Sequence, residues 1–196
     1  MVSVSDLCLC ACTSHSVSGV LEDCGNVTSV CLSHDGSLAA VSTVRPAELQ
    51  LWQLPSGGEE VSDASAEYPA PCLLRHFTGF RAHRYVVRSC FAGPADSVLL
   101  SGSEDGLVYA YATREGAEEE DASADSPAAD ADPAQLGCLR GHTATVNSLA
   151  ATVFNGVHLF ASASDDHTIH LWRMRTTLGH GASAALSPAV SSKAVS

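Results

Sequence analysis

The sequence predicts an all-β chain assembled from about three four-stranded blades in an incomplete ring, and three observations carry that expectation. Short alternating runs end on an aromatic: residues 49–52 read LQLW, 107–111 read LVYAY and 169–172 read IHLW. Those aromatics, Trp52, Tyr111 and Trp172, stand 59 and 61 residues apart. Each interval contains one low-complexity stretch, and subtracting about 17 residues for each leaves a period close to the 40–45 of one propeller blade. Three such repeats supply about twelve strands, whereas closed rings use about four to eight blades. The expectation is therefore part of a longer protein, with an open blade face and unpaired edges that invite other chains.

Taken in order, residues 1–18 read as the outer strand of a preceding blade, because Cys8, Cys10 and Cys12 alternate as on one face of a strand. Residues 19–54 form a first blade, with a turn at His34-Asp35-Gly36 between two apolar runs. Residues 55–71, rich in Pro, Gly, Ser and acid, read as a surface loop. A second blade covers residues 72–113. Residues 114–135 hold eight acidic residues and one Arg, and bury too little apolar area to offset their ordering entropy, so a disordered insertion is expected. A third blade spans residues 136–174, and the Ala/Ser-rich residues 175–196 read as a disordered tail.

Charge and composition narrow the function. Ten basic against 22 acidic residues give a net charge of −12, which lacks the basic footprint that nucleic acids and anionic membranes require. No apolar run approaches the roughly 20 residues of a membrane span, and the N-terminus lacks the charge pattern of a secretory leader. The eight Cys contain no C-x-x-C pair, so free, buried or half-buried thiols in a reducing compartment are expected rather than disulfides or zinc. No phosphate loop of the G-x-x-x-x-G-K-[ST] form occurs. Neither a cofactor, a metal nor a small-molecule substrate is expected.

The last repeat, RGHTATVNSLAATVFNGVHLFASASDDHTIHLW, opens on a Gly-His pair, turns at Asp165-Asp166 and closes on Trp172. It resembles a WD repeat. The resemblance implies a hydrogen-bonded chain of His142, Ser162, Asp166 and Trp172, in which the hydroxyl and carboxylate serve a buried indole N–H and imidazole. Ser162, His142 and Asp166 also mimic a hydrolase triad, but Ser162 lies in a strand with no G-x-S-x-G elbow, which favours the structural role. His167 and His170, three apart on a strand, point to opposite faces and read as surface or turn residues. In the middle repeat Ser101, Asp105 and Tyr111 take the matching places while Gly79-Phe80 replaces Gly-His, so its network is incomplete. The first repeat keeps only Trp52. The last blade is therefore expected to be the best ordered.

A closer resemblance rests on RHFTGFRAHRYVVRSCFAG followed by LLSGSEDGLVYAY, with CLSHDGSLAAVS, GHTATVNSLA and LFASASDDHTIHLW. Together they are similar to the C-terminal part of the WD-repeat propeller subunit of the GID/CTLH ubiquitin ligase. Tyr111 in place of Trp and long inserts after Pro55 and Arg114 depart from that pattern. The resemblance implies a non-catalytic scaffold that positions protein substrates or fellow ligase subunits for proteasomal degradation, in the cytoplasm and also the nucleus. A generic WD-repeat adaptor of another assembly is the alternative. Candidate partner-binding residues at the rims of the strands are Arg84, Tyr85, Arg88, Glu104, Asn147 and Asp165, with Glu104 and Asp165, just before the network Asp, projecting toward one face.

Overall fold

The computed structural model describes residues 7–10, 17–21, 24–55, 70–114, 134–176 and 184–188. It contains three four-stranded antiparallel sheets and one two-stranded sheet. The hairpin pairs β1 (Leu7–Cys10) with β2 (Val17–Leu21). Sheet one runs β3 (Val27–Leu32), β4 (Leu38–Thr43), β5 (Glu48–Gln53) and β6 (Cys72–Phe77). Sheet two runs β7 (Ser89–Ala92), β8 (Val98–Ser101), β9 (Leu107–Ala112) and β10 (Gln135–Arg140). Sheet three runs β11 (Val146–Phe154), β12 (Val157–Ser164), β13 (Ile169–Thr176) and β14 (Ala184–Pro188). Strand order follows chain order in every sheet, the up-and-down meander of a propeller blade.

The sheets do not coincide with the sequence repeats. β6 and β10, read above as the first runs of the second and third blades, hydrogen-bond instead to β5 and β9 of the sheet before. Sheets one and two thus take their outer strands from the far side of a low-complexity insertion, and both insertions occupy the same third-to-fourth-strand connection. Two further expectations need correcting. The N-terminal segment supplies two strands rather than one outer strand, and the tail contributes β14, paired with β13 from Trp172↔Pro188 to Thr176↔Ala184. Residues 56–69 and 115–133, where the loop and the disordered insertion were expected, lie outside the described residues, as does Cys12.

Alternation along each strand divides the core into three layers between neighbouring sheets. On β5, Leu49 and Leu51 face sheet two, while Trp52 faces the hairpin with Leu21, Ala39 and Val41. On β8, Leu99 packs toward sheet one with Phe77, Phe91 and Tyr111, and Val98 and Leu100 pack toward sheet three with Phe160 and Trp172. Sheet two is therefore buried on both faces, as its apolar runs VLLS and LVYAYA require. Close approach fixes one glycine: a Cβ on Gly102 would sit 2.2 Å from the Val146 carbonyl oxygen, so only glycine lets the β8–β9 turn press against the start of β11.

Among the described residues the far face of sheet three has no such cover. Pairing places Phe160 opposite Trp172 just as Leu99 lies opposite Tyr111, so Ile169 and Leu171 correspond to Val108 and Ala110. The latter two are 0% exposed; Ile169 and Leu171 are each 66% exposed. The inner strands β3, β7 and β11 lie side by side and line a polar cleft of about 400 Å³, with Ser29, Cys31, Arg88, Ser89, Cys90 and Ser148 in its wall. Cys24, Cys31, Cys72, Cys90 and Cys138 are free, but Cys72 and Cys138 are exposed rather than buried or half-buried. Burial pushes the Cys90 thiol up to about 12, with Cys31 beside it. Desolvation likewise raises Cys31, more than its Ser89 hydrogen bond lowers it. Such thiols are poor nucleophiles.

Candidate functional site

Sheet three assembles the four network residues. Trp172 Nε1–H donates to Ser162 Oγ at 2.8 Å, Ser162 Oγ lies 2.8 Å from His142 Nε2, and His142 Nδ1 lies 2.9 Å from Asp166 Oδ2. With the Asp166 carboxylate accepting, Nδ1 carries the proton, and in the neutral ring Nε2 accepts the Ser162 hydroxyl. The donors then run one way, from indole through hydroxyl and imidazole to carboxylate. Asp166 also takes the Thr168 N–H and hydroxyl on Oδ1, at 2.9 and 2.6 Å, and the Thr143 N–H on Oδ2 at 3.0 Å. Burial alone would raise this carboxyl, but those donors and the imidazole outweigh it and hold its pKa well below the usual carboxylate range.

Three contributors escaped the sequence reading. Thr168 two residues after Asp166 is an Asx-turn pattern, and Thr143 follows the Gly-His pair; both signals stand in DDHT and GHT. His170, expected as a surface residue, instead stacks on His142 with ring centroids 4.0 Å apart. It also fills the space over Gly141, where a Cβ would meet His170 Nδ1 at 2.7 Å. Desolvation, then the His142 imidazole, lowers the His170 pKa, with Asp166 opposing.

Serine, imidazole and carboxylate here have the distances of a nucleophilic triad, yet the geometry serves packing. Ser162 is 0% exposed, and its oxygen already receives the indole N–H, so no substrate carbonyl reaches it. The other sheets satisfy the same aromatic position differently. Tyr111 OH donates to the Thr78 carbonyl at 2.7 Å, while Ser101 turns to the Gly102 carbonyl and Asp105 accepts the Tyr109 hydroxyl at 2.9 Å. In sheet one Val41 occupies the serine position, opposite Gln50, and Trp52 Nε1–H goes to Gln50 Oε1 at 3.1 Å.

The partner-binding candidates fall into two groups and one single residue. Glu104 Oε1 accepts the backbone N–H groups of His83, Arg84 and Tyr85 at 2.8, 2.5 and 2.7 Å, and the Arg84 guanidinium lies 5.6 Å over the Tyr85 ring. Asp165 accepts Asn147 Nδ2–H at 2.7 Å. Neither carboxylate projects freely; each is turned onto the segment entering its own sheet. Burial would raise the Glu104 pKa, but the three N–H groups and nearby His83 lower it. Arg88 stands apart, exposed at the inner cleft. Among the described residues no group of three or more His, Cys, Asp and Glu is placed to hold a metal, and no helix is long and apolar enough to cross a membrane.

Three four-stranded meanders, the last of them carrying such a network, have the architecture of WD repeats. The WD domain, G-beta repeat family matches residues 73–111 and 133–173, spans that begin at or next to an outer strand and end at or beside the closing aromatic. The chain carries WD40 repeats and is homologous to WD-repeat proteins. It is 31% identical over 156 residues to "WD repeat-containing protein WDS homolog" of Arabidopsis thaliana, covering 80% of this chain and 24% of that protein. To "GID complex subunit 7" of Schizosaccharomyces pombe it is 30% identical over 148 residues, covering 74% and 22%. The chain thus spans about a quarter or less of the length of these curated relatives. A chain of the crystal structure of a mitotic checkpoint complex shares the fold, with a TM-score of 0.57 at 23% identity over 86% of this chain and 41% of that one.

Proposed function

We propose that this chain is the propeller portion of a WD-repeat subunit of a GID/CTLH-type ubiquitin ligase, positioning protein substrates or fellow subunits for proteasomal degradation. The observation that carries the reading is the similarity to a protein named GID complex subunit 7, which extends over 74% of this chain. The reading assigns the chain no chemistry. His142, Ser162 and Asp166 are spent on structure, and partners are other proteins rather than nucleic acid, membrane or a small molecule. Cytoplasm and nucleus are the compartments proposed. Affinity purification of a tagged full gene product from its own cells tests this: co-purification of ubiquitin-ligase subunits is expected. Recovery of a different assembly without them would replace this reading with the generic adaptor.

A further inference from the structure

An antiparallel meander sends its connections alternately to two edges. At one edge lie the first-to-second and third-to-fourth strand connections, and the His34 N–H donates to Asp96 there, tying sheet one to sheet two. Among the described residues these connections carry Asp35, Asp96 and Arg114. Among the described residues the other edge is formed by residues 24–26, 44–47, 78–88, 102–106, 141–145 and 165–168, with four acidic residues and four Arg. The two edges are a strand length apart, roughly 15–20 Å at 3.3 Å per residue. That exceeds the Debye length of about 8 Å at physiological salt. Charges at one edge are therefore largely screened from the other.

On the second edge the four described carboxylates all serve internal donors. Glu104 holds three N–H groups; Asp105 accepts the Leu107 N–H and the Tyr109 hydroxyl; Asp165 holds Asn147; Asp166 closes the network. Three of the Arg cluster within residues 81–88, a stretch with no acidic residue. Its course is fixed from below: Phe80, Ala82 and Val87 are buried, and Arg81 N–H donates to Ser103 Oγ at 2.9 Å. Fixed from beneath, the segment turns Arg81, His83, Arg84 and Arg88 outward, with Tyr85 and Val86 46% and 50% exposed between them.

We propose that residues 81–88 form a docking surface for an acidic, extended segment of a partner protein. Carboxylates pair with Arg84 and Arg88, and an apolar side chain lies on Tyr85 and Val86. Arg offers carboxylate a bidentate fork, and Tyr with Arg is the pairing that anchors protein interfaces. Because Glu104 and the buried Phe80 and Val87 fix the backbone, little ordering cost falls on binding. The inference rests on the scaffold reading but not on which assembly the chain serves.

The test uses the full chain and a fluorescent probe peptide alternating Glu with Leu, its Lys-for-Glu counterpart, and a single-stranded oligonucleotide. Anisotropy should show binding of the acidic peptide alone, weakening as salt rises, and at least roughly tenfold weaker in R84E/R88E. Both side chains are exposed, so the circular dichroism and melting of the variant should match the parent; R84Q/R88Q, a milder change, should weaken binding in the same direction. No binding of the acidic peptide, equal binding of the Lys peptide, unchanged affinity in both variants, or displacement by the oligonucleotide would each overturn the proposal. Ligase subunits recovered with R84E/R88E, alongside loss of peptide binding, would separate this surface from assembly into the complex.

Discussion

At the scale of single residues, one position sets the problem and its neighbours solve it three ways. The closing aromatic of each sheet buries a polar atom, which finds a serine in sheet three, a backbone carbonyl in sheet two and a glutamine of its own strand in sheet one. His142→Ala removes the link between Ser162 and Asp166, and should cost about 1–3 kcal/mol, the range for leaving buried polar groups unpaired. Trp172→Ala also empties the layer against Phe160, whose ring stacks on the indole at 5.7 Å, and should cost more, about 3–5 kcal/mol. Urea unfolding of both variants would show equal losses if the network, not the packing, dominated. Acid acts on the same residues. Both Asp166 and His170 have lowered folded pKa values, so each group takes up its proton more readily when unfolded. Their contributions are full at neutral pH and disappear on acidification: His170's fades as pH falls past its ordinary value of 6.5, Asp166's below its ordinary value of 3.8. Melting of Asp166→Asn against the parent should converge at low pH; a constant gap from pH 7 to 3 would contradict this.

At the scale of elements, the sequence ranks the last blade as best ordered because its network is complete, whereas the structure gives the advantage to the middle one. Among the described residues sheet two is covered on both faces and sheet three on one. Each fully buried Leu or Val is worth about 1.5–3 kcal/mol, so the second face outweighs one hydrogen-bond network. Amides of β8 should therefore exchange more slowly than those of β12; the reverse order, measured by mass spectrometry, would restore the network as the deciding term. The long connection between β9 and β10 can be separated from their pairing. Ala112 N–H donates to the Ala134 carbonyl at 2.8 Å and closes the base of that connection. Deleting residues 115–133 and joining the ends with a short Gly/Ser turn should leave the melting midpoint unchanged or slightly higher, since halving a loop lowers closure cost by about 0.6 kcal/mol. A large drop would mean that the deleted segment contributes contacts of its own.

At the scale of the whole molecule, the far face of sheet three lies uncovered among the described residues. Ile169 and Leu171 occupy the places where Val108 and Ala110 in sheet two meet their neighbour, so the face suits another sheet of the same shape. Exposed apolar faces of this kind drive association. Leu171→Asp should reduce self-association of the isolated chain in sedimentation velocity while leaving its melting nearly unchanged. Val108→Asp, the equivalent change at a covered position, should unfold it. Identical effects of the two would show that both faces are covered in solution.

The alternating runs and their closing aromatics determined by themselves that the chain is all-β and repeated, and the spacing of Gly-His, Ser, Asp and Trp marked His142, Ser162, Asp166 and Trp172. Those features are local: strand period and turn chemistry act within a few residues, so adjacency in sequence is adjacency in space. Tertiary structure alone decided which sheet β6 and β10 join, because their apolar patterns suit either neighbour and only pairing across the insertions selects one. It alone brought Glu104 under His83, Arg84 and Tyr85, groups about twenty residues apart in sequence. It alone also seated His170 on His142. Pairing across sheets depends on register, and register is fixed by burying one face of every strand at once.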